Sequence, residues 1–357
     1  MMVAESKRIA VVGGAGYLGS TLCAHLVEQG FHVTSIDAQW FGDDSIRRLR
    51  CHPEFTSKKV DVHLANEVLP LLRGCNAVIW VAGLVGDPAC DLDMEFTYSC
   101  NYHSALTLAH ICKWLGIARY VFASSCSVYG RSSADAMHLT ETSPTCPLSC
   151  YAQDKLASER ALRGMADDFF HPTILRLSTL FGWSNRMRFD LVVNVLTARG
   201  CKGEILEICG GGQRRPFLHV RDAAAAFEAV VSSDLSLVSN AVFNVGADAN
   251  NHRIIDVADL VYSALPSARL KFTSEAKDQR DYDVDFSKIA RLLGFKANFS
   301  VADGIAEMCQ KMTEANGINI NDPLYSNVKR TQQLLSETWH NGFRPPSMVL
   351  GTAGTAA

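Results

Sequence analysis

Two short segments carry hydroxyl, phenol and amine groups in an order that suits proton transfer. The first, "VFASSCSVYG" from Val121 to Gly130, is an apolar run that leads into serines, and the second, "SCYAQDK", begins at Ser149. Tyr151 and Lys155 stand four residues apart, and residues at that spacing share one face of a helix. An ammonium beside a phenol favours the phenolate and lowers the pKa of the tyrosine. The pair therefore predicts a general base at Tyr151, provided that something reactive lies beside it.

A glycine pattern near the amino terminus predicts what that reactive group is. In "VVGGAGYLGSTLCAHL", Gly13, Gly16 and Gly19 follow a predicted strand and open a predicted helix with the spacing G-x-x-G-x-x-G. Glycines allow a tight turn and let the backbone approach a pyrophosphate, whose charge is favoured at a helix N-terminus. Tyr17 and Leu18 lie in the same turn. The pattern predicts a dinucleotide bound by these five residues, although an ordinary glycine-rich turn is the alternative.

Residues at the ends of the next three predicted strands extend this cofactor site. Asp37 stands 18 residues past the third glycine, where a carboxylate would bind the ribose hydroxyls. Because an acid there repels a 2′-phosphate, the predicted cofactor is NAD rather than NADP. Asp61 and Val62 are placed at the adenine, and Ala82 and Gly83 at the ribose. The alternative for each is a simple turn residue at a strand end.

A dinucleotide at this edge would bring the opening segments into one reaction. Ser125 is expected at the nicotinamide end, with Tyr151 and Lys155 beside it. The positive nicotinamide also favours the phenolate, so the predicted pKa of Tyr151 falls toward neutrality. Tyr151 then takes a proton from a substrate hydroxyl while hydride leaves the same carbon for NAD, and Ser125 holds the oxygen. The alternative is a tyrosine and a lysine on a solvated helix face.

These residues need a framework in which several strand ends meet at one edge. The first half of the chain alternates short apolar runs, such as "RIAVVGG" and "NAVIWVAG", with helical patterns, among them a long helix near Leu92 to Leu115. Such alternation predicts a parallel sheet covered on both faces. From Met187 onward the pattern breaks into shorter pieces, which predict a cap over the carboxyl edge of the sheet.

The predicted fold is therefore α/β, a Rossmann-type doubly wound parallel sheet with a smaller C-terminal α/β substrate-binding cap. Residues 1–186 are assigned to the NAD-binding domain, with contributions from 217–250. Residues 187–335 are assigned to substrate binding, and 336–357 are expected to form a mobile tail.

Composition limits the partners. The 357 residues carry a net charge of −3, which offers no basic field for nucleic acid. No apolar run of about 18 residues occurs, so no membrane-spanning helix is predicted. The 12 cysteines show neither C-x-x-C nor zinc-type spacing, which predicts no metal site. Reduced thiols, with no secretory segment before them, predict a cytoplasmic location.

Several motifs occur in a fixed order along the chain: "GGAGYLG", the "SCSVYG" segment, Y-x-x-x-K, Arg176 after the sixth strand, "RPFLHVRD" from Arg215, and R-x-x-D from Arg280. Together they resemble the extended short-chain dehydrogenase/reductase family, in particular its nucleotide-sugar epimerases and dehydratases. The resemblance covers roughly Arg8 to Met312.

The resemblance implies further site residues. Arg215 and Arg280 would bind the diphosphate of a nucleotide sugar, for which guanidinium groups suit in charge and geometry, although a structural salt bridge is the alternative for each. Asn101 would support the active-site helix, or it is an ordinary residue on a helix surface. Thr179 stands where many sugar epimerases carry asparagine. The remaining residues of the predicted substrate site are Ser127 and Arg188. Both Arg186 and Arg188 are expected to lie within reach of a phosphate.

Departures from the family motifs bear on the reaction. In the 4,6-dehydratases Asp-Glu follows the catalytic hydroxyl, and the decarboxylases keep the glutamate, whereas this chain has Cys126 and Ser127. The 3,5-epimerases place a cysteine where Ser127 stands, so Cys126 is interpreted as an inert thiol. A 4-epimerase fits best because it needs only Ser, Tyr, Lys and NAD. A 4-ketoreductase of deoxysugar pathways and a non-catalytic dinucleotide-sensing protein are the alternatives.

The same resemblance implies a homodimer. The helices near Leu92 to Leu115 and Tyr151 to Ala166 carry apolar faces beyond what one sheet face needs. In the family these helices pair across a two-fold axis as a four-helix interface.

Overall fold

A parallel sheet forms the centre of the protein, whose computed structural model describes residues 7–131, 138–273, 280–315 and 317–340. The strands are β1 (Arg8–Val12), β2 (His32–Asp37), β3 (Phe55–Lys59), β4 (Ala77–Trp80), β5 (Arg119–Ser125), β6 (His171–Leu177), β7 (Thr179–Phe181), β8 (Ile205–Cys209), β9 (Arg214–His219), β10 (Val242–Val245), β11 (Asn251–Arg253) and β12 (Arg269–Thr273). Seven of them form the central sheet, in the order β10-β6-β5-β4-β1-β2-β3, and every neighbouring pair is parallel.

Helices cover both faces of this sheet. They are α1 (Tyr17–Glu28), α2 (Ala65–Leu72), α3 (Asp87–Cys90), α4 (Met94–Tyr98), α5 (Ser104–Trp114), α6 (Cys150–Gly164), α7 (Val192–Cys201), α8 (Val220–Ser232), α9 (Leu235–Val238), α10 (Ile254–Ala264), α11 (Ser287–Leu293), α12 (Val301–Glu314) and α13 (Asn327–His340). Helices α1 and α8 pack on one face, and α2 and α5 on the other. The architecture confirms the predicted Rossmann-type α/β fold.

Strand β1 shows why its sequence is apolar throughout. Successive side chains of a strand point to opposite faces. Ile9 and Val11 belong to the core that contains α1 and α8, whereas Ala10 and Val12 belong to the core on the opposite face. All four side chains are at most 1% exposed, so the strand is buried on both faces.

The strand order reverses direction at β1 and β4, and this reversal locates the crevice. From β1 the chain first builds outward through β2 to β3, and it then returns to place β4 on the other side of β1. In open α/β sheets ligands bind outside the carboxyl ends of the strands at such a switch point. The turn after Val12 and the loop after Trp80 therefore border the expected site.

A smaller layer lies over this edge. Strands β7, β9 and β11 form one three-stranded sheet, and β8 and β12 form a two-stranded sheet. Helices α7, α10 and α12 enclose a separate core with them, which includes Phe181, Leu206, Phe217 and Val257. The chain leaves and re-enters the central unit, because α8 packs beside α1 and β10 joins the sheet edge.

Two elements differ from the expected secondary structure. The helix expected near Leu92 to Leu115 is divided into α4, a π-helical turn at Ser99–His103, and α5. Its start moves to Met94 because the Asp93 side chain caps α4, accepting a hydrogen bond from the Phe96 amide at 2.9 Å. At the carboxyl end, α13 continues to His340, five residues into the predicted tail. Residues 341–357 of that tail lie outside the described residues.

Across the described ranges, no helix combines the length and the apolar character that crossing a membrane requires.

Candidate active site

One continuous groove runs along the carboxyl edge of the sheet. Its larger part is a cleft of about 580 Å³ between the central sheet and the smaller layer. A recess of about 110 Å³ adjoins it at the ends of β2, β3 and β4. Both parts are lined by Gly13, Gly16, Phe41, Val81 and Gly83, so an elongated ligand could occupy the two together.

The glycine turn closes too tightly for side chains. Gly13 has a φ of +90°, and a Cβ built there would lie 2.6 Å from the Ala82 amide nitrogen. A Cβ on Gly19 would overlap the carbonyl oxygen of Gly13. Gly16, Tyr17, Leu18 and Gly19 line the cleft at the start of α1. This bare backbone beside a helix N-terminus fits the diphosphate of a dinucleotide.

The recess collects the residues that the sequence places around the adenosine. Asp37, Asp61, Val62, Ala82 and Gly83 all line it. The Asp37 carboxylate accepts hydrogen bonds from the amides of Ala15 at 2.9 Å and Gln39 at 2.6 Å, and burial raises its pKa. The other wall is aromatic, with Trp40 and Phe41. A recess lined by a carboxylate and two aromatic side chains suits an adenine and its ribose.

The proton-transfer residues converge in the main cleft. Ser125 ends β5, and Tyr151 lies in the first turn of α6, which the Ser149 side chain caps. The Ser125 side chain lies near enough to the Tyr151 phenol to favour its phenolate slightly and so to oppose a rise in its pKa. Lys155 lies one turn further along α6, with Nζ 5.8 Å from the centre of the Tyr151 ring. All three side chains line the cleft.

The protein's own residues raise the pKa of Tyr151, whereas the sequence predicts a fall that Lys155 and the nicotinamide cause together. Burial raises it, the neighbouring Cys90 and Asp87 add to the rise, and the Arg188 and Ser125 side chains only partly oppose it. Burial also lowers the pKa of Lys155 to about 8. Burial of the phenolate raises the pKa of Tyr151 by more than Arg188 and Ser125 lower it. The protein's own residues therefore do not lower this pKa.

The substrate end of the cleft is rich in arginine. Thr179, Arg188, Arg215 and Arg280 line it, as predicted residues for substrate binding. Arg188 makes a two-pronged ion pair with Asp190, at 3.0 and 2.9 Å. Arg188, Arg215 and Arg280 lie far apart in the sequence, and the fold of the smaller layer brings them together in one cleft.

Arg215 and Arg280 are also engaged within the protein. Arg280 is 3.3 Å from the Asp87 carboxylate. Arg215 is 4% exposed, stands over the Tyr282 ring, and donates to the main-chain carbonyls of Arg214 and Arg280. Both side chains therefore have structural contacts in addition to their position at the cleft.

Two predicted site residues do not reach the groove. Ser127 is 2% exposed, its hydroxyl is buried, and it lines neither part of the groove. Asn101 is fully buried in the π-helical turn rather than on a helix surface, and its amide donates to the Leu84 carbonyl at 3.0 Å. The main-chain carbonyl of Asn101 accepts a hydrogen bond from the Ser158 hydroxyl of α6 at 3.3 Å. Asn101 therefore acts between the β4 loop and the helix that carries Tyr151.

The structure adds residues that the sequence did not single out. Asp87, Asp190 and Asn327 line the cleft, Asn327 from the last described helix. Arg186, predicted from the sequence to lie within reach of a phosphate, lines it as well. Asp87 begins α3, in the segment that follows β4. Its position after a parallel strand could have indicated a ligand-binding residue. Asn327 gave none, because its separation from the Val85 loop that it contacts is 242 residues.

Cys126 is confined to the core. It is 1% exposed, its thiol donates to the Arg176 carbonyl at 3.3 Å, and burial raises its pKa to about 12. The thiol therefore stays protonated and unreactive near neutral pH.

Comparison with known proteins identifies a family. Residues 9–246 match the model of the NAD dependent epimerase/dehydratase family. An uncharacterized UDP-glucose epimerase, YtcB, from Bacillus subtilis is 28% identical over 311 residues, covering 84% of this chain and 95% of that protein. UDP-glucuronic acid decarboxylase 1 from Danio rerio is 25% identical over 339 residues, covering 91% of this chain and 78% of its own.

A solved structure agrees with these matches. MoeE5 in complex with UDP-glucuronic acid and NAD superposes with a TM-score of 0.76 at 26% identity, covering 86% of this chain and 99% of that chain. The groove described above thus occurs in a fold of which at least one example holds both a dinucleotide and a nucleotide sugar.

Proposed function

Since the chain belongs to the NAD dependent epimerase/dehydratase family, we propose that it is an NAD-dependent 4-epimerase of a nucleoside diphosphate sugar. The observation that carries the proposal is the convergence of Ser125, Tyr151 and Lys155 in a cleft that continues into the adenosine recess. The cleft also has an arginine-rich wall for a second diphosphate. It therefore has room and charge for a cofactor and a nucleotide sugar side by side.

The cofactor residues divide by position along the groove. Gly13, Gly16 and Gly19 would hold the diphosphate of NAD, and Asp37 the adenosine ribose, with Asp61, Val62, Ala82 and Gly83 around the remainder of the recess. When bound, NAD supplies the acceptor and donor of hydride for the sugar carbon.

The protein's own groups control the proton. Tyr151 would remove the proton of the sugar hydroxyl at C4. After the 4-keto sugar has rotated to present its other face, Tyr151 would return the proton to the same oxygen. Ser125, which lines the cleft with Tyr151, would hold that oxygen. Lys155 supplies positive charge next to the phenol, and its hydrogen bond to Ala123 fixes its position against β5.

The remaining cleft residues would bind the substrate rather than react. Arg215 and Arg280 would bind the sugar nucleotide diphosphate, with Thr179 and Arg188 nearer the sugar. Two carboxylates of the cleft, Asp87 and Asp190, are paired with Arg280 and Arg188. Because paired carboxylates are poor general acids, and Cys126 and Ser127 are buried, the site favours epimerisation over elimination of water.

The test is a screen of UDP-, dTDP-, GDP- and CDP-hexoses with purified protein and no added reductant. We expect one pair to interconvert at C4, observed by NMR, with no net change at the absorbance band of reduced nicotinamide. If turnover instead consumes one equivalent of added NADH or NADPH per product, the protein is a 4-ketoreductase. If no sugar turns over while NAD binds, it is a dinucleotide-sensing protein.

We also propose a homodimer that forms through α4, α5 and α6. Support comes from Met94 and Tyr98 of α4 and from Leu92 just before it, which are 64%, 38% and 38% exposed. Tyr98 also stacks on Tyr102 with ring centres 4.8 Å apart. Light scattering at micromolar concentration should give twice the chain mass, and Met94→Glu should give a monomer. A wild-type mass of one chain would contradict the dimer.

A cytoplasmic location completes the proposal. All 12 cysteines are free, which is the usual state in a reducing compartment.

A further inference from the structure

The last described helix crosses the groove at the point where its two parts meet. The Asn327 amide donates to the Val85 carbonyl, in the loop after β4, at 2.8 Å. One turn further along α13, Arg330 Nε donates to the Trp40 carbonyl, in the loop after β2, at 2.6 Å. Those loops border the main cleft and the recess. Helix α13 thus joins the two walls between which a dinucleotide would lie.

Beneath this helix lies a buried arginine with unused hydrogen-bonding capacity. Arg186 is 5% exposed, its guanidinium lies 3.8 Å from the centre of the Phe41 ring, and one of its amino groups donates to the Asn327 side-chain oxygen at 2.7 Å. Within the described residues its Nε has no hydrogen-bond partner. A buried donor without an acceptor is costly unless a ligand supplies one.

The surroundings of Arg186 indicate an anionic ligand. Burial lowers its pKa to about 9, and the charge of Arg188 contributes to the fall, whereas Asp190 and Asp37 only partly offset it. The side chain lines the cleft together with Gly16 and Phe41, and it lies near enough to Tyr17 and Asp37 for their charges to raise its pKa. A guanidinium matches phosphate oxygens in charge and planar geometry.

We propose that Arg186, positioned by Asn327, binds the diphosphate of NAD opposite the glycine turn, and that helix α13 is a strap that retains the cofactor. The inference rests on the NAD-dependent function proposed above. It adds a binding residue from the smaller layer and a retaining element that begins 141 residues later in the chain. Release of the cofactor requires the strap to detach from Val85 or Trp40, which suits an enzyme that keeps NAD through many turnovers.

The diphosphate contact is tested by comparing ligands with and without phosphate. For Arg186→Met, we expect the Kd for ADP and for NAD to rise about 10- to 100-fold, the worth of a charge-assisted hydrogen bond, while the Kd for adenosine changes less than about two-fold. Arg47→Met is the matched control, because Arg47 is exposed and forms an ion pair with the also exposed Asp44, away from the groove. An unchanged Kd for ADP would overturn the proposal.

A second pair of variants tests the strap. It also tests the proposal independently if Arg186→Met fails to fold. Asn327→Ala should speed NAD dissociation about five-fold or more, measured by stopped-flow displacement, because Arg186 loses its support and α13 loses its bond to Val85. Asn321→Ala, at an exposed position before the helix, should dissociate NAD at the wild-type rate. Equal rates for Asn327→Ala and wild type would refute the strap.

These measurements use no sugar, so they separate this inference from the proposed reaction. A protein that loses ADP affinity in Arg186→Met but turns over no nucleotide sugar keeps the cofactor assignment and loses the epimerase. A protein that epimerises sugars with unchanged ADP affinity in Arg186→Met keeps the epimerase and loses this assignment.

Discussion

The ammonium of Lys155 donates a hydrogen bond to the main-chain carbonyl of Ala123 across 2.8 Å. This contact attaches the helix that carries Tyr151 to the strand that ends in Ser125, and it keeps the lysine 2% exposed. The two halves of the proton-transfer site are therefore held in register by a buried lysine whose charge is itself close to titrating.

That buried charge predicts an alkaline limit to activity. Burial lowers the pKa of Lys155 to about 8 while Asp154 raises it, so the lysine loses its positive charge as the pH rises through that value. We expect kcat/KM to fall above about pH 8, and Asp154→Asn to move the fall to lower pH. Asp168→Asn, at an exposed site, should leave the profile in place. A profile that Asp154→Asn does not move would contradict the role of the charge.

Asp154 also predicts a pH-dependent change in stability. Burial raises its pKa from 3.8 to about 6, so its ionised form is disfavoured in the folded state. The sign follows from linkage: the penalty is fully present above about pH 6 and disappears as the pH falls toward the unfolded value near 3.8. Asp154→Asn should therefore raise the Tm at pH 8, and the gain should shrink at pH 4.5. Calorimetry at both pH values measures this, and an equal gain at both would exclude the explanation.

Tyr151→Phe should remove turnover and leave the cofactor bound. The phenol is the proton-transfer group, and such groups contribute about 10²- to 10⁴-fold to rate. The Kd for NAD should stay near the wild-type value, because the glycine turn and the recess are untouched. Tyr262→Phe, at a residue 45% exposed, serves as the control. Substantial activity in Tyr151→Phe would eliminate the proposed base.

Asp37→Ser should shift cofactor preference from NAD toward NADP. Removal of the carboxylate ends its repulsion of a 2′-phosphate, and a neighbouring arginine introduced with it should strengthen the shift. The structure adds a cost, because the amides of Ala15 and Gln39 lose their acceptor. Stability should fall by about 1–3 kcal/mol. Titration with both cofactors measures the ratio of Kd values, and an unchanged ratio would make Asp37 a turn residue only.

Local patterns were enough to predict the sheet, the glycine turn and the Ser125, Tyr151 and Lys155 set. Each depends on residues that are neighbours in one turn, one strand or one helix face, so spacing alone carries the information. Asp37, Asp61 and Ala82 were predicted for a related reason, since parallel strands bring their carboxyl ends to one edge.

Packing between distant segments settled the rest. Arg186, Asn327 and Val85 meet although they lie far apart in the chain, and no periodicity marks such a contact. The pKa of Tyr151 depends on how much water the fold removes from the phenol, and this burial outweighs the opposing effects of Arg188 and Ser125. Ser127 lies in a motif but faces the core, because the short turn after β5 directs Ser125, and not Ser127, toward the cleft. Burial and direction are properties of the assembled layers, and spacing along the chain does not contain them.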